Sequence, residues 1–185
     1  MKKLFFAACV FALAFTFLGC GSTKVSRVDP DEVIDLSGYW NDTDVRLVSD
    51  SLISQCLSAP WYSEFSATHG GKKPTVIVGT FRNQSDEHID TTIVSGKIEQ
   101  SLVNSRKVTS VANASTRSEV RAERDDQQIN SSAETAKTLK NEKAADYMLQ
   151  GAVKTVIDSA NKKMVRTYFV SAELVDIESN EKVWL

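Results

Sequence analysis

The chain is poor in the residues that most often carry chemistry or covalent cross-links. It has two histidines, three cysteines and three prolines among 185 residues. The histidines, His69 and His88, have no second His or Cys at ligand spacing, which excludes a zinc or haem motif of the usual kind. Of the cysteines, Cys9 falls inside an apolar leader and Cys20 at its end. Cys56 is then alone, so the mature chain has no internal disulfide and must stand on a hydrophobic core. Cys56 lies on the apolar side of a helical pattern and is expected to be a small buried hydrophobe. Excess charge of one sign is also missing: 22 Lys and Arg stand against 24 Asp and Glu. Without Lys2 and Lys3 of the leader the balance becomes −4. A mildly acidic chain with no basic stripe is not a nucleic-acid binder. Gly70-Gly71-Lys72 follows no strand and lacks P-loop spacing, and no Gly-x-Ser-x-Gly elbow occurs. The paired acids Asp86-Glu87 and Asp125-Asp126 read as solvated neighbours. No catalytic residue, cofactor site or metal site is expected, and the chain is read as a non-enzyme.

One apolar run is long, and it opens the chain. Lys2 and Lys3 precede an unbroken stretch from Leu4 to Leu18, shorter than the roughly 20 residues of a membrane-spanning helix. This is the layout of a secretory signal. It ends on Phe17-Leu18-Gly19-Cys20, which resembles a lipobox cut just before a lipidated cysteine. Residues 1–19 are therefore read as a lipoprotein signal peptide and Cys20 as the lipidation site; an ordinary signal peptide cut nearby is the alternative. Each buried methylene of an acyl chain such as palmitate contributes about 0.8 kcal/mol, so several chains on one cysteine hold a protein on a bilayer. Gly21 and Ser22 follow, with no Asp after the cysteine. That points to the outer membrane, with the protein lipid-anchored on the periplasmic face.

Residues 20–38 read as the lipidated cysteine and a polar tether, and 39–185 as one globular domain. Asp42 or Thr43 is placed to cap a helix whose stripe is Val45, Val48, Leu52, Ile53, Cys56 and Leu57. Pro60 is expected to stop it, with Trp61 to Lys73 as a loop. Tyr39, Trp40, Trp61, Tyr62 and Phe65 bracket this helix, as core staples or as an interface. Thr75 to Phe81 reads as a buried strand, Arg82 to Glu87 as a polar connection, and His88 to Asn104 as a helix with Ile89, Ile93, Ile98 and Leu102 inward. Lys107 to Val111 reads as a second strand. Residues 114–145 are strongly charged and read as two solvent-facing helices broken near Asn130-Ser131-Ser132, with Ser132 as the second cap. The period then changes to two. Tyr147 to Ile157 and Met164 to Leu174 form antiparallel strands about a turn at Ser159-Ala160-Asn161-Lys162. Val183-Trp184-Leu185 begins a third strand with no closing polar tail, as for a blunt terminus or a shortened sequence. The expected fold is α/β (α+β): a mixed sheet of about four to five strands flanked by helices.

Three segments together carry a family resemblance. They are Asp35-Leu36-Ser37-Gly38-Tyr39-Trp40-Asn41-Asp42-Thr43-Asp44, then Gly79-Thr80-Phe81-Arg82-Asn83-Gln84-Ser85-Asp86-Glu87-His88-Ile89-Asp90-Thr91, and Tyr147-Met148-Leu149-Gln150-Gly151. With the lipobox, the chain resembles the LpoB family of penicillin-binding protein activators, over nearly all of its mature length. The resemblance implies a fold like the amino-terminal domain of the translocation protein TolB. It also implies an outer-membrane lipoprotein that docks on an accessory domain of a bifunctional penicillin-binding protein. There it would raise peptidoglycan synthesis and so act on cell wall biogenesis and cell shape. The tether of this chain is short and nearly free of proline, unlike the long proline-rich arm of well-studied members. The expected contact surface is Arg82, Asn83, Gln84, Asp86 and Glu87, with neighbouring parts of the first helix. Alternatively, Asn83 and Ser85 shape the loop and Asp90 caps the next helix. The runner-up function is a TolB-like envelope scaffold without synthase activation.

Overall fold

The computed structural model describes residues 27–29, 32–34 and 37–185. The expected signal segment and the expected lipidation site Cys20 lie outside the described residues. The chain divides into two units, Met1–Ile34 and Asp35–Leu185. In the first, the Glu32 amide donates to the Asp29 carbonyl at 3.0 Å.

The second unit opens with helix α1, Asp42–Ser58, and its cap is Asn41 rather than Asp42 or Thr43. Asn41 Oδ1 accepts from the amides of Thr43 and Asp44 at 2.8 and 3.3 Å, and Asp44 Oδ2 accepts from the Asn41 amide at 3.0 Å. This reciprocal box satisfies donors that the helix start would otherwise leave open, and such caps contribute about 1 kcal/mol. Val45, Ser49, Ile53, Cys56 and Leu57 are buried, while Val48 and Leu52 lie half-buried at the edge of the stripe.

Pro60 does end α1, but the expected loop is wrong: Pro60–Thr68 is a second helix, α2. Proline at the first helical position has no amide to satisfy and a φ already suited to the helix. Trp61 and Phe65, four residues apart, are buried on one face. The Trp61 indole N–H donates to the Cys56 carbonyl at 2.6 Å, tying the two helices together. Gly70 and Gly71 then take positive φ values of 63° and 78° and turn the chain.

Strand β1, Thr75–Gln84, runs three residues past its expected end. Helix α3, Thr91–Ser105, starts at Asp90, whose carboxylate accepts from the Thr92 amide at 3.0 Å. Its inward residues are Val94, Ile98 and Leu102; Ile93, expected inward, is 53 % exposed. Strand β2 is Thr109–Val111 and helix α4 is Ala114–Asn130, which buries no residue. The expected second helix after Ser132 does not form. Residues 131–146 make turns and extended chain, laid along α4 by Arg121 and Arg124 on Glu142 and by Gln128 on the Lys137 carbonyl. A segment with no apolar stripe has no face to bury, so these polar ties decide its path.

Strands β3, Tyr147–Ala160, and β4, Lys163–Asp176, form a long hairpin, and β5 is Lys182–Trp184. Asn161 and Lys162 at the hairpin tip have φ of 50° and 63°, the left-handed pair a tight two-residue turn needs. The five-stranded mixed sheet has the order β2-β1-β3-β4-β5. β1 is parallel to β2 and β3, and the other pairs are antiparallel. Helices α1, α2 and α3 bury their apolar sides against Val76, Val78, Tyr147, Leu149, Ala172 and Leu174 of one sheet face. Fully burying side chains such as Ile98 or Leu149 contributes about 1.5–3 kcal/mol each. The fold is α+β, with α1, α2 and α3 packed on one side of the central strands.

Candidate functional site

The expected contact residues fall at the end of β1 and the turn that follows. A register irregularity between Val78 and Phe81 shifts the alternation of β1. Beyond it, Phe81 and Asn83 take the helix side, and Arg82 and Gln84 take the opposite, open side of the sheet. Arg82, Asn83 and Gln84 thus belong to a strand rather than to a loop.

Asn83 shapes the turn with both ends of its amide. Its Oδ1 accepts from the Ser85 amide and hydroxyl at 3.0 and 2.6 Å, and its Nδ2 donates to the Glu87 carbonyl at 2.8 Å. Asp86 and Glu87 are held from across the sheet. Thr155 of β3 donates its hydroxyl to Asp86 Oδ1 at 2.6 Å, and Arg166 of β4 reaches Asp86 Oδ2 at 2.8 Å. The same guanidinium pairs with Glu87 Oε1. The Tyr168 hydroxyl donates to Glu87 Oε1 at 2.7 Å and accepts from the Trp40 amide at 2.9 Å. Arg166 also lies over the Tyr39 ring, 4.9 Å from its centroid, a cation–π geometry.

The electrostatics follow from these partners. The Thr155 hydrogen bond, then one from the Asp86 amide and the Arg166 charge, hold the Asp86 carboxyl below the ordinary carboxylate range. Burial, then the bond to Glu87, pushes the Tyr168 phenol above its ordinary value. Arg82 and Gln84 stand apart from this network. They share a shallow surface with Thr80, Gln150, Ser171 and Glu173, where Glu173 accepts from Gln150 at 2.8 Å and pairs with Lys182 at 2.6 Å. Two of the five expected residues therefore project free polar side chains. One builds the turn, and two are ion-paired within the domain.

Thr155, Arg166 and Tyr168 belong to no motif in the sequence. One signal was available: Arg166 is the charged member of an alternating set, Met164, Tyr168, Val170, Ala172 and Leu174, that is otherwise uncharged. Of the aromatic group, Trp61 and Phe65 are core, Trp40 and Tyr62 pack against it half-buried, and Tyr39 is exposed. Among the described residues no group of three or more His, Cys, Asp or Glu is placed to hold a metal ion. None of the described helices is long and apolar enough to cross a membrane.

The sequence from residue 44 to 185 matches the family described as "Peptidoglycan-synthase activator LpoB". No curated relative matches the chain at a significant level. Among solved structures, the chain is similar to the LpoB C-terminal domain from Escherichia coli, at 14% identity and a TM-score of 0.45, covering 76% of this chain and 93% of that one. The LpoB C-terminal domain from Salmonella enterica gives 14% identity and 0.43 over the same shares. The NMR structure of E. coli LpoB gives 12% identity and 0.42, covering 91% of this chain and 82% of that one. The family match spans most of the chain, from the first turn of α1 through β5: the chain belongs to the LpoB family of peptidoglycan-synthase activators.

Proposed function

We propose that this protein is a lipoprotein anchored through Cys20 in the outer membrane, with its domain on the periplasmic face. It binds an accessory domain of a bifunctional penicillin-binding protein and speeds its synthesis of peptidoglycan, with no catalysis of its own. The observation that carries the reading is the family match over residues 44–185. The lipobox-like Phe17-Leu18-Gly19-Cys20 supports the anchor. A non-catalytic protein activates an enzyme by binding its active conformation more tightly than its inactive one. The docking surface is the end of β1 and its turn, with Arg82 and Gln84 as free contacts and Asp86 and Glu87 on a turn braced by Arg166. A pre-braced surface loses little entropy on binding.

The test is binding of the mature chain, residues 21–185, to the bifunctional penicillin-binding proteins of the same cell, with lipid II polymerisation followed in the same samples. Binding with faster polymerisation is expected, and weaker binding by Arg82→Ala. Folded protein that binds none of them, or binds without changing the rate, would sink the activator reading and favour an envelope scaffold.

A further inference from the structure

A concavity of about 470 Å³ is lined by β1, the first turns of α3 and α4, and Met148 and Gln150 of β3. Ile77 and Met148 are among its apolar lining residues, Thr91 and Ser115 among its hydroxyl-bearing ones, and Arg82 and Arg117 are its two basic residues. No carboxylate lines it.

The two arginines differ from others in the domain. Arg121, Arg124 and Arg166 are each ion-paired. Among the described residues Arg82 and Arg117 form no ion pair and no side-chain hydrogen bond; Arg117 Nε, like Arg166 Nε, is buried without a partner, but only Arg166 has its charge met by carboxylates. A buried donor with nothing to donate to is costly, and a charged one more so. The nearby acids are already engaged. Asp90 accepts from the Thr92 amide and hydroxyl. Glu173, whose carboxyl feels the Arg82 charge, is bonded to Lys182 and Gln150. The helix starts do not supply the attraction either, since Asp90 and Asn113 cap them.

We propose that this pocket binds an oxyanion, a carboxylate or phosphate, on a small organic body whose apolar part rests on Ile77 and Met148. The guanidinium fork matches two oxygens of either group, a fit that an ammonium does not reproduce. The pocket stands on its own chemistry and does not depend on synthase activation.

The test is an NMR titration of the 15N-labelled mature chain, residues 21–185, with sodium phosphate and, separately, sodium butyrate. Sodium chloride at matched ionic strength is the control. Saturable shifts of the Arg117 Nε–H and of the Thr91 and Ser115 amides are expected with at least one anion, and the responding anion identifies the oxyanion class. Arg117→Gln should weaken binding at least tenfold. Arg117→Lys, which keeps the charge and loses the fork, should weaken it less. Shifts equal to those from chloride, or a titration unchanged in both Arg82→Gln and Arg117→Gln, would overturn the proposal.

Discussion

Arg166 on β4 pairs with Glu87 on the turn after β1, across a separation of 79 residues. Both side chains are 13 % exposed, and the contact fastens the turn to the hairpin that projects past it. Tyr168, two residues on and on the same face, bonds the same Glu87 oxygen and the Trp40 backbone. Three distant parts of the chain are thereby joined through the Tyr168 hydroxyl.

Tyr168→Phe should test that junction. It keeps the ring against Trp40, whose centroid is 5.4 Å away, and removes the hydroxyl from two hydrogen bonds. At about 0.5–1.5 kcal/mol for each bond, we expect a loss of about 1–2 kcal/mol in urea unfolding. Hydrogen exchange at Trp40 and in the 85–90 turn should rise in the same variant. An unchanged unfolding midpoint with unchanged exchange would show that the bonds contribute nothing.

Acid should loosen the strap along α4. The Glu142 carboxyl is held down to about 2, first by its bond from Arg121 and then by that from Arg124. A carboxyl with a lowered folded pKa contributes stability that is present above its unfolded value of 4.5 and is lost as pH falls toward 2. The site is exposed, so the effect should shrink at high salt. Unfolding midpoints of the wild type and Glu142→Gln, compared at neutral pH and at the acid end of this window, should converge on acidification. A constant difference between them would contradict the assignment.

Gly151→Ala should destabilise the centre of the sheet. A methyl there would meet the Ser171 carbonyl oxygen and stand 2.6 Å from Phe81 Cε1. Neither the backbone nor a core ring can yield cheaply, and overpacking of this kind costs about 1–3 kcal/mol. Chemical denaturation measures it, and a neutral result would mean that Phe81 has room to move.

The Cys56 thiol should be inert in the folded protein. It is 1 % exposed, and burial pushes it up to about 12, so almost none of it is the thiolate that reacts. A thiol reagent at neutral pH should leave the native chain unlabelled and label it rapidly in urea. Fast native labelling would place Cys56 at the surface.

Much of the fold was legible because local patterns agreed with the final packing. The stripe from Val45 to Leu57 describes one helix and the period of two from Tyr147 to Leu174 describes two strands, and all three elements formed. Where a residue has two local meanings, the sequence does not choose. Pro60 can end a helix or begin one, and it does both. In α3 the apolar residues include Ile93 and Val94 side by side, and docking against α1 and β1 selects Val94. After Ser132 the helix-compatible residues lack an apolar face, so polar ties to α4 prevail.

The sequence by itself determined the apolar run that ends on the lipobox-like Phe17-Leu18-Gly19-Cys20, the stripe of apolar residues around Cys56, and the family resemblance. These depend on composition and on residues adjacent in the chain. Only the tertiary structure decided which of Arg82, Asn83, Gln84, Asp86 and Glu87 are free to meet a partner. That depends on the irregularity between Val78 and Phe81, which sets the side each residue of β1 takes. It depends equally on the β3–β4 register that sets Thr155 opposite Tyr168. Shifting a strand by one residue turns every side chain to the other face. Pairings over such distances come from the packing of the whole sheet, and no short stretch of sequence encodes them.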